Sequence, residues 1–194
     1  MPTVACPGIS ADIFLNCTKP LSAGVRDVLY LFNLGDLESV VENATNPNII
    51  EDIVLKDGAF VYRVEGKNNS NEPRSALSKG TYSTAYIHEV IFKVFSVESD
   101  TKEQLQYMAN TKMVAIVENN FKGVAGSVPY EIYGLEAGLE LQALERILND
   151  ADTQGAYNLT MASSETIKEP TLPKTFFDTD FATTKALLEA LFTV

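Results

Sequence analysis

The single histidine of the chain, His88, is the first candidate for acid/base or nucleophilic chemistry. It lies between Tyr82 and Phe92, in a segment whose β-branched and aromatic residues predict a strand. A hydrolase triad also needs a nucleophile on a sharp turn, and the sequence contains no Gly-x-Ser-x-Gly motif. We therefore predict that His88 is a structural strand residue and that the chain is not an enzyme.

Metal-ligating residues are equally sparse. Cys6 and Cys17 lie in a leader interrupted by Pro and Gly, and with one histidine they are too few for a nitrogen or sulfur site, so we predict free thiols. The segment from Asp150 to Gly155 resembles the start of a calcium loop, but Met161 stands where the closing carboxylate belongs. We predict an ordinary turn there, and no metal or other cofactor.

Glycine and carboxylate spacing nominates no catalytic or phosphate-binding site. The segment from Gly134 to Gly138 lacks the third glycine of a dinucleotide loop and the Lys-Ser/Thr of a phosphate loop, so it predicts a tight backbone bend. Acidic residues are scattered over most segments, and their spacing singles out no pair for acid/base work.

Length and charge restrict the class of partner. The 194 residues, 45% of them apolar, suit one domain with its own core. Fifteen Lys and Arg against 26 Asp and Glu give a net charge of −11, which opposes tight binding to nucleic acid or anionic membranes. No stretch approaches the roughly 18 apolar residues of a membrane span, and residues 1–10 lack the pattern of a secretion signal. We expect a soluble protein made in the cytoplasm.

Alternating hydrophobicity and turn residues predict a chain made mainly of strands. The dipeptide Asp57-Gly58 predicts a type I′ hairpin between strands at Ile49–Lys56 and Ala59–Glu65. The following segment, Gly66–Gly80, predicts a polar loop of functional or disordered length. Further strands are predicted at Val25–Leu34, Leu37–Asn43, Thr81–Val97, Lys112–Glu118, Val128–Tyr133 and Ala156–Ala162.

Helical patterns are few. Asp100 and Glu103 have the residue types of a capping box that opens a helix to about Asn110, and Asp180 is a candidate cap for a short C-terminal helix. The segment Leu139–Asn149 is compatible with a helix or a strand.

The predicted fold is mainly β, a β-sandwich or flattened barrel with one flanking α-helix. It spans residues 25–165, between an N-terminal arm at 1–24 and a C-terminal arm at 166–194.

This order of elements resembles the virion structural proteins of tailed bacteriophages, and most closely their small tail tube proteins. The likeness is one of pattern over roughly residues 24–165. It is carried by Gly24–Leu31 at the front, His88–Phe92 before the helix, Met113–Glu118 after it, and the closing segments Tyr130–Leu139 and Gly155–Met161.

The resemblance implies a self-assembling protein whose copies form a hexameric ring and join their sheets into one inner barrel. Stacked rings would form a hollow tube in the virion tail, assembled in the host cytoplasm. Its partners would be other copies of itself, other virion proteins and DNA in transient passage, with no membrane. Two alternatives stay open: a neck, connector, stopper or capsid-decorating virion protein, and a monomeric ligand-binding β-sandwich module.

Two groups of residues are predicted to serve assembly. The polar face of the long strand, including Ser83 and Glu89, is predicted to line the channel or a subunit joint; a solvated outer face is the alternative. The two arms and the polar loop are predicted to contact neighbouring subunits; wrapping of the arms around their own subunit is the alternative. The predicted contact residues are Ile13, Phe14, Leu15, Asn68, Asn69, Asn71, Arg74, Phe176 and Phe177.

Overall fold

A computed structural model of the chain describes residues 9–13, 19, 21–67, 69–81 and 83–192. These residues contain eleven strands and two helices, so the predicted mainly β fold is confirmed. The described residues before Val25 form no helix or strand. The elements are β1 (Val25–Asn33), β2 (Leu37–Glu42), β3 (Ile49–Leu55), β4 (Tyr62–Glu65), β5 (Glu72–Lys79), β6 (Thr84–Val94), α1 (Ser99–Met108), β7 (Met113–Asn119), β8 (Tyr130–Tyr133), β9 (Leu139–Arg146), β10 (Tyr157–Ser163), β11 (Lys174–Phe176) and α2 (Phe181–Ala190).

The eleven strands form one open, hydrogen-bonded sheet that folds into two layers. Sheet I has the strand order β2-β3-β11-β8-β7-β1-β4, and sheet II has the order β9-β10-β6-β5. The pair Met113 and Leu139 joins the layers. Neighbouring strands are antiparallel except β11 and β3. The layers pack face to face. For example, the ring of His88 in β6 of sheet II lies 5.5 Å from the ring of Tyr133 in β8 of sheet I.

The first hydrophobic core lies between the two layers. Odd-numbered residues of β1 and β7 meet even-numbered residues of β6, as the two-residue period of a strand requires. Leu105 of α1 closes one side of this core. Full burial of such side chains contributes about 1.5–3 kcal/mol each. The buried members are Val25, Leu29, Leu31, Val90, Phe92, Val94, Leu105, Met113, Ala115, Val117, Tyr133, Leu139, Leu159 and Met161.

The second hydrophobic core lies between sheet I and α2. It exists because β7 is apolar on both faces: Ala115 and Val117 point to the first core, whereas Val114 and Ile116 point to the second. Sheet I is therefore covered on both sides by its own chain. The buried members are Phe32, Ile50, Ile53, Val61, Val114, Ile116, Tyr130, Ile132, Leu135, Phe176 and Leu188.

The two helices begin differently. Asp180 caps α2 as predicted, since its Oδ1 accepts the N–H of Thr183 at 2.8 Å, and this hydrogen bond lowers the pKa of the Asp180 carboxyl. The predicted capping box of α1 is wrong. That helix begins at Ser99, and its N-cap residue, Glu98, makes no side-chain capping bond.

The predicted hairpin is also wrong. Its two strands exist, but β3 pairs with β2 and β11, whereas β4 pairs with β1. Asp57 and Gly58 do form a turn, yet only Gly58 has a positive φ, of 78°, and a type I′ turn needs positive φ at both positions. Beyond the turn, buried Val61 donates its N–H to the Leu191 carbonyl at 2.8 Å, which directs the chain past the end of α2.

The structure corrects the sequence-based prediction for one further segment and decides between the two alternatives for another. The predicted polar loop is wrong from Glu72 onward, because Glu72–Lys79 is β5 and all eight residues pair with β6 without a register shift. The ambiguous segment Leu139–Asn149 contains the strand β9 and no helix. Both strands lie at the borders of sheet II.

Candidate assembly interface

Sheet II ends on one side at β5, whose outer edge pairs with no described strand. In the neighbouring β6, Tyr86 donates its N–H to the Glu169 carbonyl at 2.8 Å and accepts the Glu169 N–H at 3.0 Å, both on the side away from β5. Backbone groups alternate in an antiparallel ladder, so those of Leu77, opposite Tyr86, point to the free edge. The same alternation directs the backbone N–H groups of Ser75 and Lys79 outward.

Sheet II ends on the other side at β9. The same alternation, followed through β6 and β10, points the backbone groups of Leu141, Leu144 and Arg146 to the free edge of β9. A register shift against β10 makes Gln142 a bulge. Leu139, at the start of the strand, already pairs with sheet I.

The β5 border of sheet II contrasts with the border of sheet I at β2, whereas the β9 border, like β2, contains a bulge. Strand β2 has two register shifts against β3 within six residues and exposes the carboxylates of Glu38 and Glu42. Bulges and charges of this kind keep an edge from pairing with another chain. The edge of β5 is regular. Exposed apolar side chains do not distinguish the borders, since Leu77 on β5 is 53%, Leu144 on β9 is 43% and Val41 on β2 is 45% exposed.

The outer face of sheet II carries no covering element from the described residues. Cross-strand pairing places Arg74, Glu89 and Glu140 in one row across this face, and the Arg74 guanidinium lies 2.7 Å from the Glu72 carboxylate and 3.8 Å from that of Glu89. The four strands place four acidic and two basic side chains on the face: Glu72, Glu89, Glu140, Glu145, Arg74 and Lys93. Two further cations reach it, because Lys168 Nζ donates to Ser78 Oγ at 2.8 Å and Lys112 Nζ lies 3.2 Å from the Glu140 carboxylate.

Five predicted site residues lie on or beside β5 and β6. Arg74 and Glu89 are cross-strand partners, and Ser83 is exposed in the turn that joins the two strands. Asn69 has a positive φ of 61° and donates its N–H to Asp27 Oδ1 at 2.9 Å. Asn71 is buried, with 6% exposure. These residues are therefore spread along one border of sheet II, with Asn69 and Asn71 before one end of β5 and Ser83 beyond the other, and only Arg74 and Glu89 contact each other.

The predicted arm residues do not meet this group. Ile13 is 91% exposed and contacts no core residue. Phe176 is fully buried in the second core, where its strand β11 fills sheet I between β3 and β8, so this part of the C-terminal segment wraps its own chain. Phe177 is half-buried and donates its N–H to the Ile50 carbonyl at 2.9 Å. Phe14, Leu15 and Asn68, also predicted contacts, lie outside the described residues.

His88 lies in a buried polar cluster, where the Ser163 hydroxyl bonds the His88 backbone and no hydroxyl or thiol of the described residues is hydrogen-bonded to the ring. Its Nδ1 accepts the N–H of Gly134 at 3.2 Å, so its Nε2 carries the hydrogen and donates to the Thr171 carbonyl at 3.1 Å. Burial lowers the pKa of His88 to about 4, partly opposed by the bond to Thr171. The ring is thus neutral at pH 7, and it connects both layers and the segment after β10.

Glu169 holds the Gly134–Gly138 bend, which the glycine spacing predicts and the structure contains. Its carboxylate accepts the N–H of Ala137 at 2.9 Å and that of Glu136 at 3.3 Å. Burial raises the pKa of Glu169, and these hydrogen bonds oppose the rise. A Cβ on Gly138, at a φ of 79°, would lie 2.9 Å from Lys112 Cβ, so glycine is required there.

The segment from Asp150 to Gly155 is a turn, as predicted. Asp150 accepts the N–H of Asp152 at 3.0 Å and the hydroxyl of Thr153 at 2.7 Å. Its carboxylate is thus engaged by the turn itself, and the hydrogen bond from Thr153 lowers its pKa. Within the described residues, no group of three or more His, Cys, Asp and Glu side chains is placed to hold a metal ion.

Sequence reasoning missed the β9 border. Leu139 and Leu141 fit strand alternation, but the bulge at Gln142 places the next edge leucine at position 144, three residues later. The spacing then fits a helix as well as a strand. The signal that could have identified β9 is its place in the chain, because segments of strand length precede and follow it and one of them, β10, needs a partner strand.

The comparisons with protein-family models, with curated proteins and with solved structures found no significant match to this chain. Neither α1 nor α2 is long and apolar enough to cross a membrane, and the described residues contain no other helix that is.

Proposed function

We propose that this chain is a self-assembling virion structural protein of the tail tube kind. Its copies join β5 of one subunit to β9 of the next and so close a ring around a channel for DNA. The observation that supports the proposal is sheet II itself, which has one uncovered face and two unpaired edges. Both faces of sheet I, by contrast, contribute to a hydrophobic core of the same chain.

Strand direction supports a ring. Sheet II has four strands, each antiparallel to the next, so β9 and β5 run in opposite directions. Copies related by rotation about an axis along the strands keep their strand directions. Strand β5 of one copy therefore lies antiparallel to β9 of the next. Backbone donors of one border then meet acceptors of the other wherever β5 and β9 are in register, and the bulge at Gln142 interrupts this match.

The uncovered face is the channel wall in this arrangement. Its four strands carry four carboxylates and two basic side chains, and Lys112 and Lys168 reach the face from neighbouring segments, so the face itself is close to neutral. The net charge of −11 of the whole chain is what opposes binding of the DNA phosphates. Salt limits the repulsion to about 8 Å at physiological ionic strength, so it acts on DNA close to the wall.

Proline substitutions test the two edges separately. Leu77→Pro and Leu144→Pro each remove an outward N–H that forms no bond within the chain, so the subunit stays folded. Each variant alone should be monomeric by size exclusion with light scattering. Mixed together they should form a one-to-one dimer, because each retains the edge that the other lacks. Leu77→Ala, which keeps the N–H, is the matched control and should still form rings.

The outcomes separate the alternatives. Long tubes of the unmodified chain in negative-stain images support the tube, whereas rings that do not stack indicate a neck or connector protein. A dimer of Leu144→Pro alone would mean two-fold β5–β5 pairing and no ring. A strictly monomeric unmodified chain at high concentration would overturn the proposal.

A further inference from the structure

The turn that joins β9 to β10 exposes two adjacent apolar side chains. Ile147 is 51% exposed and Leu148 is 70% exposed, and neither belongs to one of the two hydrophobic cores. Aliphatic side chains gain free energy when another surface removes them from water. This β9–β10 turn is therefore a candidate contact for a second molecule.

Hydrogen bonds hold the β9–β10 turn in one conformation. Asp150 donates its N–H to the Ile147 carbonyl at 3.3 Å, and Arg146 Nε donates to the Gly155 carbonyl at 2.8 Å. The carboxylate of Asp150 accepts two further hydrogen bonds within the turn. Leu148 thus lies on a well-fixed backbone, and its burial by a partner costs little conformational entropy of the chain.

A cleft of about 530 Å³ lies at the other border of sheet II, beside the start of β5. Its volume is in the usual range of small-ligand pockets and is sufficient for two aliphatic side chains. One of its lining residues, Leu21, is 86% exposed. The lining is mixed, and its apolar members include Leu21, Val25, Pro73, Phe121 and Val128.

The proposed β5–β9 junction brings the turn and the cleft together. Both strands have eight residues, and they run antiparallel in the junction, so pairing along their length places the end of β9 near the start of β5. The end of β9 is Arg146, and the chain continues from it into the β9–β10 turn. The start of β5 is Glu72 and Pro73, which line the cleft. The apolar turn of one subunit therefore reaches the cleft of its neighbour.

We propose that the β9–β10 turn of each subunit binds in this cleft of the neighbouring subunit, with Leu148 packed against Leu21. The contact rests on the proposed β5–β9 junction and adds side chains to it. A backbone ladder alone selects no partner, because every strand edge offers the same N–H and C=O groups. An apolar side chain that enters a cleft beside the ladder supplies specificity and register.

The two proline variants isolate a single junction. Leu77→Pro keeps the β9 edge and Leu144→Pro keeps the β5 edge, so their dimer joins the turn of the first chain to the cleft of the second. Leu148→Asp in the Leu77→Pro chain should weaken this dimer roughly tenfold or more, since a carboxylate replaces a leucine that becomes buried. The same change in the Leu144→Pro chain is the matched control and should leave the dissociation constant unchanged, because that turn has no partner. Analytical ultracentrifugation measures both constants.

The cleft is tested in the reciprocal way. Leu21→Asp should weaken the dimer severalfold in the Leu144→Pro chain and should have no effect in the Leu77→Pro chain. Leu148→Ala and Leu21→Ala on opposite chains should together weaken the dimer by less than the product of their separate factors, because both remove the same contact. Leu21 and Leu148 are mostly exposed in the subunit, so these variants stay folded.

The results separate failure of the contact from failure of the junction. Absence of a dimer in every combination would overturn the β5–β9 junction and, with it, the placement of the turn. A dimer that Leu148→Asp in the Leu77→Pro chain does not weaken would overturn the cleft contact and leave the junction standing. An equal effect of Leu148→Asp in the two chains would also overturn the cleft contact.

Discussion

Sheet I and sheet II share the first core but are completed differently. Strand β7 of sheet I is apolar on both faces, and α2 covers the second face. In sheet II, β6 has buried Val90 and Phe92 on one face, whereas Glu89 and Lys93 on the other face remain partly exposed. The apolar pattern of each strand thus indicates how many of its faces the subunit itself covers, and the outer face of sheet II is the one that the described residues leave outside both cores.

The largest expected effect tests the coverage of sheet I. Phe176→Ala should reduce the free energy of unfolding by about 3–5 kcal/mol, because it empties a fully buried site between β11 and α2. Urea denaturation measures the loss. Phe177→Ala is the matched control and should cost clearly less, since Phe177 is half-buried. Equal losses of unfolding free energy in the two variants would mean that Phe176 is no more important to the core than Phe177.

The next effect tests the buried junction of the two layers at His88. Its folded pKa of about 4 lies below the ordinary 6.5, so between these values the unfolded chain binds a proton that the folded chain does not. Stability should therefore fall as the pH falls from 6.5 to 4, by about 3 kcal/mol from this residue. Carboxylates titrate in the same range, so the measurement compares urea denaturation of the parent and His88→Gln at both pH values. The same acid loss in both proteins would contradict the prediction.

A smaller effect sharpens the role of α2 as the cover of sheet I. Asp180→Ala removes the cap that accepts the Thr183 N–H and should cost about 1 kcal/mol of stability. Asp180→Asn, which keeps the acceptor, should restore most of it. Thermal unfolding followed by circular dichroism gives both values, and a cost as large as that of Phe176→Ala would indicate that α2 detaches as a unit.

The smallest effect is expected on the outer face of sheet II. Glu89→Gln should change the unfolding free energy by less than about 0.5 kcal/mol, because the carboxylate is partly exposed and lies 3.8 Å from its partner Arg74. Measurement on the unassembled subunit is required. A loss of several kcal/mol would show that a part of the chain covers this face and would remove the contrast between the sheets.

Local signals predicted most of the elements but not their pairing. The cap Asp180 and the alternation of β6 are read within a few residues, and both predictions are confirmed. The turn at Asp57-Gly58 is local too, yet the next strand, β4, pairs with β1 and not with β3. Val61 before β4 is only 2% exposed, and its burial in the second core directs the chain away from a hairpin. A hairpin signal describes the turn and carries no information on such distant packing.

The borders of sheet II were the hardest part to predict, for physical reasons. An edge strand with few core contacts, such as Glu72–Lys79, has a burial pattern close to that of a loop, and its Pro73 reads as a strand breaker. Proline is nevertheless tolerated there, because the alternation of β5 points that backbone position to the free edge. The candidate interface therefore lies where sequence periodicity is weakest.

The apolar character of both faces of β7 has a consequence for synthesis of the protein. From Asn119 to Ala190 the ribosome must add 71 residues before α2 is complete. At bacterial and eukaryotic elongation rates this takes roughly 4–14 s, during which Val114 and Ile116 of the nascent chain lack their cover. Chaperone capture and co-translational aggregation should therefore concentrate on this interval, and slowing translation after β7 should lower the yield of native subunit.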